Sequence, residues 1–150
     1  VFYDTELCDM ARQGAYVPLD TEDAVKRCAE VLDIFDAAGV PCIRVGLCAT
    51  ENLNDPDKVY GGASHSAIGE LAMGELYFKR ICRELDRLPT CELSGKEISV
   101  RVSRGSVSKA LGQRRRNADR ICEKYSLKCM KAAEDDRLSG YGISIEILGR

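Results

Sequence analysis

Apolar residues recur along this chain with two different periods. Between residues 107 and 125 the spacing is helical on both sides of a break. Val107, Ala110 and Leu111 lie at i, i+3, i+4; Ala118, Ile121, Cys122 and Tyr125 lie at i, i+3, i+4, i+7. Gly112 separates the stripes, so two short helices are expected with a turn between them. On either side of this pair the period drops to two. Ile98, Val100 and Val102 alternate with Ser99, Arg101 and Ser103, and Ile143, Ile145 and Ile147 alternate with Ser144 and Glu146. With a further strand at residues 128–132, the order is β-α-α-β-β. A three-stranded sheet with helices on one face is the architecture this order favours.

The first ninety residues read as α/β. Residues 1–3 resemble the tail of a strand. Asp4 or Thr5 caps a short helix with Leu7, Met10 and Ala11 inward, ended by Gly14. The acidic start at residues 20–23 opens a helix to about Ala38. Its stripe is Ala24, Cys28, Val31 and Phe35, widened by Val25 and Leu32, and Gly39 stops it. Residues 40–47 follow as a mostly apolar strand. Helix, glycine and apolar strand in that order make one α/β unit of a parallel sheet or barrel. Residues 48–64 form a long polar loop. The longest helix then runs from Ser66 to about Leu88 on Leu71, Gly74, Phe78, Ile81, Leu85 and Leu88, a packing stripe ended by Pro89. Residues 91–95 are a short polar linker. Two regions are therefore expected: residues 1–91, terminal α/β unit(s) of a barrel-like parallel sheet with the long helix, and residues 96–150, a small α+β module.

Charge sharpens that division. Residues 1–95 hold 9 Lys and Arg against 17 Asp and Glu, net −8; residues 96–131 hold 11 against 3, net +8; residues 132–150 hold 2 against 4, net −2. A +8 stretch of 36 residues is a candidate nucleic-acid footprint. The alternative is a basic face docked on the acidic face of the same chain. An apolar content of 45% supports a packed core, and no run of eighteen apolar residues is present to span a membrane. No signal peptide is visible and the chain does not open on methionine, so it reads as a cytoplasmic piece of a longer protein. The eight cysteines form no C-x2-C pair and several sit on apolar stripes, as reduced buried thiols do. A disulfide framework or a zinc site is the alternative; no metal site is expected.

The candidate chemistry centres on the helix junction. Gly112-Gln113-Arg114-Arg115-Arg116 places three guanidiniums on a flexible turn, and Asn117 can cap the second helix. Glycine, a helix N-terminus and clustered arginines suit a phosphate backbone. The same residues also suit a solvated corner between helices. Arg44 either snorkels to its strand edge or lines a site. His65, the only histidine, is a proton carrier, a polar substrate contact or a helix-entry residue bonded to backbone.

Residues 96–148, with Ala110-Leu111-Gly112-Gln113-Arg114-Arg115-Arg116-Asn117-Ala118 at the junction, resemble a K-homology RNA-binding module. In that family a Gly-x-x-Gly turn grips a single-stranded backbone. Gly112 takes the place of the first glycine and Arg115 that of the second. Residues 1–88 resemble the C-terminal portion of radical S-adenosylmethionine proteins related to the catalytic subunit of Elongator. The shared stretches are Thr5-Glu6-Leu7-Cys8-Asp9-Met10, Gly14-Ala15-Tyr16-Val17-Pro18-Leu19, Ile43-Arg44-Val45-Gly46-Leu47 and Gly61-Gly62-Ala63-Ser64-His65-Ser66-Ala67. Ala63, Ser64 and Ser66, and Cys48-Ala49, depart from the family pattern.

The family's C-x3-C-x2-C cluster motif is absent, so this chain is not catalytic by itself. The resemblance implies a parent enzyme whose barrel, S-adenosylmethionine and [4Fe-4S] cluster lie upstream. It further implies an RNA substrate such as tRNA, held for modification by Lys109, Gly112, Gln113, Arg114, Arg115, Arg116 and Asn117, with Arg44 and His65 as possible substrate contacts. A free-standing nucleic-acid-binding module, or a structural extension of an enzyme similar to coproporphyrinogen oxidases, is the alternative.

Overall fold

A computed structural model describes residues 1–46 and 55–148. Helix α1 (Glu6–Arg12) starts where the Thr5 hydroxyl accepts a hydrogen bond from the Cys8 amide. Helix α2 (Thr21–Ala37) starts in the same manner on Asp20, whose carboxylate accepts from the Asp23 amide at 2.7 Å. Helix α3 (Ile68–Leu85) is shorter at both ends than the expected span of 66 to about 88. Residues 91–95 are not merely a polar linker: a helical turn, α4 (Thr90–Leu93), drives Leu93 into the core.

The module that follows has the expected order: β1 (Glu97–Val102), α5 (Val107–Leu111), a 3-10 turn (Gln113–Arg115), α6 (Arg116–Tyr125), β2 (Cys129–Glu134) and β3 (Ile143–Leu148). The sheet is mixed. β1 lies in the centre, parallel to β2 and antiparallel to β3. Ile98 stands between Met130 and Ile147, and Val100 between Ala132 and Ile145. The parallel pair needs a crossover, and α5 and α6 supply it.

Helix α3 packs on two sides. Tyr77, Ile81, Cys82 and Leu85 join the sheet core with Ile98, Val100, Val102, Ala110, Ala118, Ile121 and Met130. Ala72 and Leu76 form a second, smaller core with Ala29 and Leu32 of α2. The long helix of the first region is therefore also the floor of the sheet module.

Polar clamps bind α2 to α3. Arg80 donates to Asp33 through Nε at 2.9 Å and Nη2 at 2.7 Å, pairs with Asp36 at 2.8 Å, and donates through Nη1 to the Tyr141 carbonyl at 2.9 Å. Arg83 reaches Asp33 and Lys79 reaches Glu30, both at 3.0 Å.

Three expectations for the first region need correction. Leu7 and Met10 of α1 are exposed and Cys8 is its buried residue. Val31 and Phe35 point outward from α2; its inward residues are Ala24, Ala29 and Leu32. Residues 40–46 hold no strand, and Ile43 is 98% exposed. A strand needs a neighbouring strand to satisfy its backbone groups, and among the described residues no strand lies beside this segment. Leu47, Cys48 and Ala49 lie outside the described residues. At the other end of the region, Phe2 forms an isolated antiparallel bridge with Val59.

Burial would raise the Asp33 pKa, but hydrogen bonds from Arg80 and Arg83 outweigh it and hold the carboxyl below the usual carboxylate range. A lowered folded-state pKa means the stabilisation is complete above about pH 4 and is lost as pH falls through the folded value. In thermal melts from neutral to acid pH, wild type therefore loses midpoint faster than Asp33→Asn. At neutral pH that variant is the less stable by about 1–2 kcal/mol.

Candidate nucleic-acid interface

The site is built at the α5–α6 junction. Gly112 ends α5 with φ +75° and ψ 164°, and its amide donates to the Ser108 carbonyl at 2.9 Å. A side chain here would also meet the Asn117 side chain at 2.9 Å from its Cβ, so the position needs glycine on both counts. The next turn is left-handed without any glycine: Arg114 has φ +50° and Arg115 φ +64°. The Arg115 amide donates to the Gly112 carbonyl at 3.0 Å and closes the turn.

Asn117 does not cap α6, contrary to the sequence expectation. Arg115 stands at the N-cap, and Asn117 is buried inside the first turn. Its Nδ2 donates to the Gly74 carbonyl at 2.8 Å and reaches the Lys109 and Ala110 carbonyls at 3.4 Å. The tight turn forces this arrangement, because it brings the end of α5 and the middle of α3 against the start of α6. Asn117 thus fastens the junction to the core.

The three guanidiniums separate into two roles. Arg115 folds back, and its Nη2 donates to the Met130 carbonyl of β2 at 3.0 Å. Arg114 and Arg116 are exposed and make no hydrogen bond or ion pair with the described residues. Lys109, half-buried on α5, likewise makes none. Gln113 is exposed beside them. No carboxylate among the described residues hydrogen-bonds or ion-pairs with any of the three, but Glu22 of the acidic region lies near enough to Arg116 that its carboxyl, lowered chiefly by Lys26, is lowered by Arg116 as well. Other cations of the chain are so engaged: Arg120 pairs with Glu75 at 3.0 Å and lies over the Phe78 ring at 3.6 Å, and Lys124 pairs with Asp86 at 3.4 Å.

Beneath the turn lies a cleft of about 610 Å³. Lys109, Gly112, Gln113, Arg114, Arg115, Arg116 and Asn117 line one side, which gathers all seven of the candidate RNA-binding residues. The opposite side comes from α2 and α3, with Glu22, Lys26, Glu70 and Glu75, and Val25, Leu71 and Leu111 add apolar surface. Sequence reasoning missed this second wall, since its residues are far from the turn along the chain. The one signal was Gly74, where a Cβ would sit 3.5 Å from the Lys109 carbonyl and mark the close approach of α5 to α3.

Arg44 and His65 do not line the cleft. Arg44 is exposed. His65 is exposed as well, and its Nδ1 accepts from the Ala67 amide at 3.1 Å, which ties it to the entry of α3. Among the described residues no group of three or more His, Cys, Asp and Glu could hold a metal ion, so the chain's own described residues do not fit an iron–sulfur site. No helix among them is long and apolar enough to cross a membrane.

Fold and charge together define a mixed α/β region, acidic in its helices, with a basic turn displayed over a cleft. Residues 1–80, more than half of the chain, match the Radical SAM C-terminal domain family, and the protein belongs to that family. No curated protein and no solved structure matches the chain.

Removing the Asn117 amide strips a partner from buried helix-end carbonyls, and Asn117→Ala is expected to lose about 1–3 kcal/mol in urea unfolding. Asn117→Asp is expected to lose more, because its carboxylate would face those same carbonyl oxygens with nothing to donate.

Proposed function

We propose that this chain is the C-terminal, substrate-holding region of a radical S-adenosylmethionine enzyme of the Elongator-catalytic-subunit-like group, and that its basic module holds tRNA-like RNA for modification. The observation that carries the RNA reading is the pair of exposed guanidiniums at Arg114 and Arg116, displayed at a left-handed turn with no hydrogen bond or ion pair to a carboxylate among the described residues. A phosphate backbone is bound by such groups together with a helix N-terminus. Arg115 strengthens the likeness to a K-homology module. Its φ of +64° is the conformation a second glycine would favour, which supports the reading.

The cluster and the sulfonium cofactor belong, on this reading, to a barrel upstream in the same cytoplasmic protein. Support comes from the outer side of the first region. Val31, Ile34 and Phe35 of α2, with Val40 and Ile43 of the strand-like segment that follows it, leave apolar side chains exposed, and no strand pairs with that segment among the described residues. The α2 unit and residues 40–46 supply what the last α/β unit of a parallel sheet needs, and the barrel supplies the neighbour. Arg44 and His65 are the residues this docking would bring toward the substrate.

Two measurements test the proposal. The combined variant Lys109→Ala, Arg114→Ala, Arg116→Ala should weaken tRNA binding at least about tenfold at low salt and flatten the log K against log salt slope by roughly 2; unchanged affinity and slope would end the RNA reading. In the full-length enzyme the amides of residues 31–46 should exchange more slowly than in the isolated chain, and Ile43→Glu should restore fast exchange. Equal exchange in both settings counts against docking.

A further inference from the structure

We infer that the cleft under the Gly112 turn seats an unstacked base of a bound single strand, and that Glu70 selects adenine and cytosine, which carry an amino group at N6 and N4, over uracil. This rests on the RNA reading of the same site.

The two walls of the cleft have opposite character. The turn side presents Arg114 and Arg116, neither in a hydrogen bond or ion pair with the described residues, and the facing side presents carboxylates, of which Glu22 feels the Arg116 charge. Two of those carboxylates are already engaged: Glu22 with Lys26 at 2.8 Å and Glu75 with Arg120 at 3.0 Å. Glu70, in the first turn of α3, is exposed and makes no hydrogen bond or ion pair with the described residues. A polyanion lying across the whole cleft would set phosphates against this free carboxylate and be repelled. A nucleotide entering sideways fits both walls. Its phosphate stays with the guanidiniums, its base rests on the apolar surface of Val25, Leu71 and Leu111, and its edge faces Glu70. The volume of about 610 Å³ is in the range of small-ligand sites.

A carboxylate can only accept hydrogen bonds, so it rewards a base that donates. Cytosine offers the N4 amine and adenine the N6 amine, whereas uracil turns the O4 carbonyl toward the same position. The acidic wall therefore reads donor against acceptor.

The test uses the full chain and fluorescein-labelled oligo(A), oligo(C) and oligo(U) of equal length, followed by anisotropy. Wild type should bind oligo(A) and oligo(C) about tenfold more tightly than oligo(U). Glu70→Gln, whose amide can donate to uracil O4, should erase the preference chiefly by raising oligo(U) affinity, with an unchanged thermal midpoint. Arg114→Ala with Arg116→Ala should weaken all three oligonucleotides alike. Equal affinities in wild type, or a preference that Glu70→Gln leaves intact, overturn the inference while the RNA reading stands. Absence of binding to every oligonucleotide and to tRNA at low salt overturns both.

Discussion

The structure depends on one helix being buried from two sides. Along α3, Ala72 and Leu76 face α2 while Tyr77, Ile81 and Leu85 face the sheet, and all are almost completely shielded from water. Burial of this extent is the main favourable term available to a chain of this size, and it cannot be shared between two neighbours unless both hold their positions. Without α3 the three-stranded sheet would lose one wall of its core, and α2 would lose the buried apolar surface of Ala72 and Leu76. The acidic first region and the basic module are therefore parts of one packed body despite their opposite charge.

That dependence explains the placement of the polar groups. Asn117 donates across to Gly74 because α3 passes directly under the junction. Tyr125, at the far end of α6, donates to the Cys82 carbonyl at 3.1 Å and to Asp86 at 2.6 Å, so both ends of α6 are fastened to the same helix. Burial, followed by the bonds to Asp86 and Cys82, pushes the Tyr125 hydroxyl well above its ordinary pKa, and it stays a donor throughout the neutral range. With α6 held at both ends, the turn before it can carry two left-handed arginines. Strained backbone of this kind persists only where its surroundings hold it in place.

Much of the second half was legible because its signals are local. The stripe Ala118, Ile121, Tyr125 turned inward as its spacing requires, and the alternation of Ile98, Val100 and Val102 gave the central strand. Gly112 marked the break, and the guanidiniums beside it proved exposed. What stayed hidden was set by distant contacts. Leu76 and Tyr77 lie beside each other in sequence yet belong to different cores, and one apolar stripe cannot announce two destinations. The role of Asn117 was misread because capping is a local rule, whereas its amide answers carbonyls from two other helices. Glu70 carried no motif at all; only the folded cleft sets it opposite the arginines. Residues 40–47 have strand composition, but composition alone supplies no neighbouring strand.

Helix α2 has consequences on both of its flanks. Its N-terminal turns contribute Glu22, Val25 and Lys26 to the cleft, while Val31, Ile34 and Phe35 near the other end face outward. Arg80 grips the helix within this outward stretch, through Asp33 and Asp36. One rod therefore carries both surfaces, and its firmest anchorage lies under the outward one.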